Sequence, residues 1–238
     1  TDVTLYVNRL NTDESVIPFE YHHFDFCPID EGNSPVENLG QVVFGERIRP
    51  GPYHIDFMKD VKCQKVCTRQ YVGGDLESEK RLSTLKKGMS LNYQHHWIVD
   101  NMPVTWCYMV DSVAKRRYCN TGFPMGCYFR RDTESYNGCP MMNEKYSHPG
   151  HYYPFNHVNL TITYHNGQSE EWGVGFGKNG GRIISVKVEP LSINHRNPDK
   201  LDCSINAEPL AISEKPLAKG EKLNITYTYS VYFVHDES

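Results

Sequence analysis

Asn92 to Cys107, NYQHHWIVDNMPVTWC, is the stretch whose reading decides the fold. It holds two of the three tryptophans in the chain, a His-His pair and a cysteine. Side chains alternate across a strand, so Leu91, Tyr93, His95, Trp97 and Val99 share one face. Asp100-Asn101-Met102-Pro103 then breaks what would otherwise be two adjoining strands. The second arm, Val104 to Val110, leads into four cysteines: Cys107, Cys119, Cys127 and Cys139. The stretch is therefore predicted to be the hinge between an ordinary β core and a disulfide-laced flap.

Working outward, Val3–Asn8 reads as an opening strand and Val16 to Cys27 as an extended aromatic segment. Leu39–Ile48 and Tyr53–Met58 read as strands around the turn Arg49-Pro50-Gly51-Pro52, and Val61–Val72 continues the pattern with Cys63 and Cys67. One helix is predicted from Asp75 to about Lys87, with Asp75 as its N-cap and Gly88 as its stop. Leu82, Leu85 and Met89 form its apolar stripe, Glu77 and Arg81 an i,i+4 pair, and it should lie across a sheet edge. Tyr146–Phe155 reads as an aromatic, proline-broken connection. Val158–His165, Ile183–Glu189 and Leu223–Val234 alternate cleanly, with a glycine-rich loop, Asn166–Gly181, between the first two. The expectation is a mainly β, disulfide-containing antiparallel β-sandwich with one short surface helix, built as a single domain over residues 1–238.

Bulk composition limits the function. With 39% hydrophobic and 23% charged residues the chain is globular, and a net charge of −4 gives no electrostatic support to a nucleic-acid partner. No run approaches the roughly 18 apolar residues of a membrane-spanning helix. No basic-then-apolar leader stands at Thr1, which reads as a mature or trimmed N-terminus. Eight cysteines make an even set, and two sequons, Asn159-Leu160-Thr161 and Asn224-Ile225-Thr226, place their asparagines on the outward faces of alternating strands. Together these point to an oxidising compartment and to glycosylation at Asn159 and Asn224.

Motifs for chemistry fail on context. Gly175-Phe176-Gly177-Lys178-Asn179-Gly180 fits G-x-G-x-x-G, but a strand follows it where a dinucleotide site needs a helix. Cys63 and Cys67 with His95 and His96 could be assembled into a zinc site, yet adjacent histidines in a strand point to opposite faces. Ser83-Thr84-Leu85-Lys86 lies on the exposed helix without partner motifs. We expect no catalytic residue, metal or cofactor. Eight cysteines allow 105 connectivities. Proximity favours Cys107 with Cys119 and Cys127 with Cys139. Cys63 with Cys67 would need a bend or bulge at Gln64–Val66, and would leave Cys27 and Cys203 to meet across the fold.

Several short stretches, in order along nearly the whole chain, carry a resemblance. They are Ile17-Pro18-Phe19-Glu20-Tyr21, Glu37-Asn38-Leu39-Gly40, Phe44-Gly45-Glu46-Arg47-Ile48, Asp100-Asn101-Met102-Pro103-Val104, Gly122-Phe123-Pro124, Phe155-Asn156-His157-Val158 and Ile225-Thr226-Tyr227-Thr228-Tyr229-Ser230-Val231. The chain resembles the lumenal N-terminal domain of the transmembrane 9 superfamily, the nonaspanins, and is most similar to its member-2-like branch. The resemblance implies that Ser238 precedes nine membrane helices, and that the domain faces the lumen of Golgi and endosomes or the cell exterior. It further implies a part in sorting membrane-protein cargo, with no catalytic residue to carry over.

Two functional expectations follow. The first is a non-enzymatic interaction module that contacts its own membrane domain or membrane-protein cargo. The second is a lectin-like module binding a glycan, because Tyr146, Tyr152, Tyr153, Phe155 and Trp172 fall in expected loops where aromatics could meet sugar faces. The candidate ligand or partner surface is therefore Tyr152, Tyr153, Phe155, Trp172, His95 and His96. Eleven histidines add the expectation of a pH-dependent property.

Overall fold

A computed structural model of the chain describes residues 2–29, 48–111, 116–131, 138–166 and 181–237. The chain is mainly β. It opens with β1 (Asp2–Val7), β2 (Leu10–Thr12) and β3 (Ser15–Phe19), followed by a 3₁₀ turn at Tyr21–Phe24. Next come β4 (Arg49–Asp56), β5 (Val61–Val72), helix α1 (Leu76–Ser90), β6 (Gln94–His95), β7 (Trp97–Val99) and β8 (Met102–Asp111). Then follow β9 (Arg116–Asn120), β10 (Phe123–Pro124), β11 (Gly126–Phe129), a single turn of helix, α2 (Gly138–Met142), and β12 (His151–Pro154). The last strands are β13 (His157–Asn166), β14 (Gly181–Leu191), β15 (Ile212–Ser213) and β16 (Lys222–His235). The expected strand at Leu39–Ile48 and the glycine motif at 175–180 lie outside the described residues.

The principal sheet is nine-stranded, ordered β4-β1-β7-β8-β14-β13-β16-β5 with β9 added to β8. Most pairs are antiparallel, but β13 runs parallel to β16 and β14 parallel to β8. Sequence alternation identifies a strand's faces and not its neighbour, so those two pairings are a structural finding. The sheet curls until its edge strands face each other. The Tyr229 hydroxyl on β16 donates to the carbonyl of His54 on β4 at 2.7 Å, and a cleft of about 880 Å³ remains between the edges. Arg49-Pro50-Gly51-Pro52 belongs to β4 and is not a turn. Proline is tolerated there because β4 is an edge strand whose outer N–H groups need no partner.

One core fills the curl. The sheet contributes Leu5, Val99, Val104, Leu160, Val186 and Ile225, and Phe24, Phe26, Leu82, Leu85 and Met89 close it from the open side. The helix stripe lies where its periodicity put it, and the Asp75 side chain accepts from the Ser78 N–H at the N-cap. Gly88 does not stop the helix, which continues to Ser90. A Cβ at Gly88 would lie 2.6 Å from a Phe24 ring carbon and 2.7 Å from the Met125 sulfur, so the glycine serves a close approach.

Val16 to Cys27 is extended only as far as Phe19; Tyr21–Phe24 coils and Asp25 caps it with φ 61. The cause is long-range. Asp25 carboxylate oxygens accept from Arg69 Nη2 at 2.5 Å, Arg81 Nη1 at 2.7 Å and the Tyr71 hydroxyl at 2.9 Å. This bonding ties the coil to β5 and α1, and it takes the Arg81 head to Asp25 where an ion pair with Glu77 was expected. Charge-assisted bonds at a nearly buried carboxylate are the strong kind.

The disulfides correct the local pairing of Cys63 with Cys67. Cys27 joins Cys67 and Cys63 joins Cys203, while Cys107 joins Cys119 and Cys127 joins Cys139. A regular strand would put Cys63 and Cys67 on one face. Two register shifts in β5, opposite Tyr227/Thr228 and Tyr229/Val231, reverse one of them. Cys67 lies opposite the core residue Tyr227, whereas the Cys63 N–H donates to Ser230 Oγ on the other face at 2.9 Å. There, residues 192–210 form a strap over β16, and Thr226, Thr228 and Ser230 are buried beneath it as fully as the core-side residues.

Candidate interaction surface

The opening stretch divides as alternation requires. Tyr93, His95, Trp97 and Val99 are all buried. His95 packs among the rings of Phe26, Trp97 and Phe123, and burial pushes its imidazole down to about 3. His96 points the other way, 2.6 Å from the Asn11 side-chain oxygen, and its partial burial lowers its pKa as well. Asp100 and Asn101 have φ of 47 and 66 and form the two-residue turn of a hairpin, in which Val99 faces Met102 and Ile98 faces Pro103. Turns of this kind need positive φ at both positions, which Asp and Asn accept most readily after glycine. Met102 and Pro103 therefore belong to β8 rather than to the break.

Beyond Trp106, which still packs against the main core, β8 continues paired with β9 as a projecting arm. Cys107 and Cys119 are directly opposed in its register and covalently joined. Trp106 and Tyr108, two residues apart, share the face onto which Tyr118 and Asn120 are brought by the β9 register. The Trp106 and Tyr108 ring centroids are 4.6 Å apart, and Tyr118 stacks on Tyr108 at 6.2 Å. Asn120 Nδ2 donates to the Tyr108 hydroxyl at 3.4 Å. Tyr118 is 46% and Met109 51% exposed, and Arg116 and Arg117 are exposed beside them. A disulfide-stapled strand pair with a row of partly exposed rings, and with Arg116 two residues from Tyr118 on the same face, offers a rigid contact face, since little conformational entropy remains to be lost on binding.

The other expected surface residues are not brought together. Tyr153 and Phe155 are buried with Tyr146, Cys127 and Cys139 in a small second core, so neither presents a ring to a ligand. His151–Pro154 is a strand rather than a loop, and its alternation turns Tyr153 inward. Tyr152 is half-buried, stacked on Tyr128 at 4.2 Å with the Lys86 ammonium 5.6 Å from its ring centre. Buried His95 is likewise no surface residue. Trp172 lies outside the described residues. Tyr108 and Tyr118 were missed, although the expected Cys107–Cys119 pairing would itself have set Tyr118 opposite Tyr108.

The outer face of β13 and β16 carries a second polar assembly. His157 Nδ1 lies 2.8 Å from Thr228 Oγ1 and its Nε2 2.8 Å from Asn159 Oδ1, while His195 Nε2 reaches the same Thr228 hydroxyl at 3.0 Å. Burial pushes His157 down to about 4 and lowers His195. Asn156 holds the strap by donating to the Ile193 carbonyl and accepting from the Ile193 N–H. Of the two sequon asparagines, Asn224 is exposed and Asn159 is half-buried. Every cysteine is paired, so the thiolates that a Cys63/Cys67 zinc site would need are consumed. Among the described residues no His/Cys/Asp/Glu group of three is arranged to hold a metal, and no helix is long and apolar enough to cross a membrane.

A mainly β fold with four disulfides and a projecting aromatic arm is the class these observations define. Known proteins carry a similar sequence. The Endomembrane protein 70 family profile matches residues 18–238. Transmembrane 9 superfamily member 2 of Homo sapiens is 47% identical over 236 residues, covering 99% of this chain and 33% of that protein. The Pongo abelii protein of the same name is 48% identical over 236 residues, and Transmembrane 9 superfamily member 1 of Saccharomyces cerevisiae 25% over 233 residues. No solved structure matches. The chain belongs to the Endomembrane protein 70 family, the transmembrane 9 superfamily of membrane proteins. It spans about a third of the length of the curated relatives it matches.

Proposed function

We propose that this chain is the lumenal, non-enzymatic contact module of a nine-span Golgi and endosomal membrane protein that sorts membrane-protein cargo. Family membership supports the setting, and four disulfides with two strand-borne sequons suit an oxidising lumen. The observation that carries the reading is the stapled arm with its row of Trp106, Tyr108 and Tyr118. Aromatic and arginine side chains on a rigid element are the composition of interface hot spots. The partners are its own membrane domain and membrane-protein cargo.

The test is full-length protein with Trp106→Ala, Tyr108→Ala and Tyr118→Ala, returned to cells that lack the native protein, with surface biotinylation reading out the displayed membrane proteins. The variant is expected to fold, because Tyr108 and Tyr118 lie outside the main core and Trp106 only borders it, and to leave the surface set unrestored. Full restoration contradicts the reading. The same ring row also favours the carbohydrate-binding alternative, since partly exposed aromatic rings in a row can meet sugar faces. Glycan-array binding that disappears in the triple variant would move the assignment to that class.

A further inference from the structure

Asn159 and Thr161, the first and third residues of a sequon, are two apart on β13 and share its outer face. With Cys107, Arg117, Lys187 and Glu189 they line a groove of about 230 Å³ between the sheet and the stapled arm. Asn159 Oδ1 accepts from His157 Nε2 at 2.8 Å. That bond occupies the amide atom which glycosylation leaves unchanged, and it leaves Nδ2 for the groove. Asn224 stands in contrast: it is exposed on β16, with Gln70 Nε2 donating to its Oδ1 at 3.0 Å.

We propose that Asn159 carries an N-linked glycan whose first N-acetylglucosamine is seated in this groove, against the Cys107–Cys119 disulfide and among Arg117, Lys187 and Glu189. The disulfide supplies an apolar wall for a sugar face, and the charged heads supply donors and acceptors for the hydroxyl and acetamido groups. The donor is a lipid-pyrophosphate-linked oligosaccharide. The bond between its anomeric carbon and the pyrophosphate oxygen breaks, the bond from that carbon to Asn159 Nδ2 forms, the lipid pyrophosphate leaves, and the amide gives up one proton. Attachment precedes folding, and closure of the arm then covers the first sugar. The seated glycan braces the base of the contact arm against the sheet. The inference rests on the lumenal placement proposed above.

The test uses full-length protein from its own membranes. Peptide N-glycosidase in heavy-oxygen water marks each site it releases, and digestion is compared before and after denaturation with reduction. Release at Asn224 is expected from the native protein. Release at Asn159 is expected to be at least about tenfold slower until the protein is denatured, because the groove must first open locally. Arg117→Ala should speed native release at Asn159, and Thr161→Val should abolish that glycan alone. Asn159 bare with Asn224 occupied, or equal native and denatured rates at Asn159, overturns the inference. Both sites bare overturns it together with the lumenal placement.

Discussion

Moving the protein from pH 7 to pH 5 is expected to remove about 4 kcal/mol of folding stability through two buried histidines. Burial holds His95 down to about 3 and His157 to about 4, against about 6.5 in the unfolded chain. Above that unfolded value both states are neutral and the full stability is present. As pH falls below it the unfolded chain takes up protons that the folded chain refuses, and stability drops until the folded pKa is reached. Each histidine contributes about 2 kcal/mol of loss by pH 5, a large share of the 5–15 kcal/mol that domains of this kind possess. His23, His96 and His195 are lowered in the same direction and add to the slope.

The check is urea denaturation at both pH values for the native sequence and for His95→Phe. Phenylalanine keeps a ring among Phe26, Trp97 and Phe123, and it removes a buried Nδ1 that has no partner among the described residues. The variant is expected to be at least as stable at pH 7 and to lose about half of the acid dependence, on the same linkage reasoning. A profile flat from pH 7 to 5 would exclude the mechanism.

Removing the Cys63–Cys203 bond is the second large effect. Its ends are 140 residues apart, against 12 for Cys107–Cys119. On loop-closure entropy the long bond contributes about 5 kcal/mol and the short one about 3 kcal/mol. The long bond also ties the strap over β16, so Cys63→Ala with Cys203→Ala should expose Thr226, Thr228 and Ser230 to water. Thermal unfolding with amide hydrogen exchange measures both. The paired variant should melt well below Cys107→Ala with Cys119→Ala and exchange fastest across residues 192–210 and β16. The reverse order of stability would remove the strap from this account.

Much of this architecture was legible because it depends on neighbours in sequence. The buried face Tyr93, His95, Trp97, Val99, the stripe Leu82, Leu85, Met89, the Asp75 cap and the span Val61–Val72 all follow from local period and capping. The departures are set by distant residues. Tyr21–Phe24 coils because Arg69 and Arg81 gather on Asp25. Gly88 continues a helix because Phe24 and Met125 press on it. Cys63 and Cys67 separate because β5 slips twice against β16, and slips of that kind leave no mark in alternation. In the contact site, Trp106 lay in the opening stretch, and Tyr118 was within reach of the expected disulfide register. Tyr153 and Phe155 misled because an aromatic, proline-bearing run reads the same in a loop as in a small strand that buries every second ring.

The central claim is that the stapled arm is a contact face in the intact protein. Hydroxyl-radical footprinting of the full-length protein in its native membranes, compared with residues 1–238 alone, measures this most directly. Trp106, Tyr108 and Tyr118 are expected to be protected in membranes and reactive in the isolated chain, while Tyr152, half-buried on its own sheet, does not change. Equal reactivity of the three arm rings in both states would contradict it.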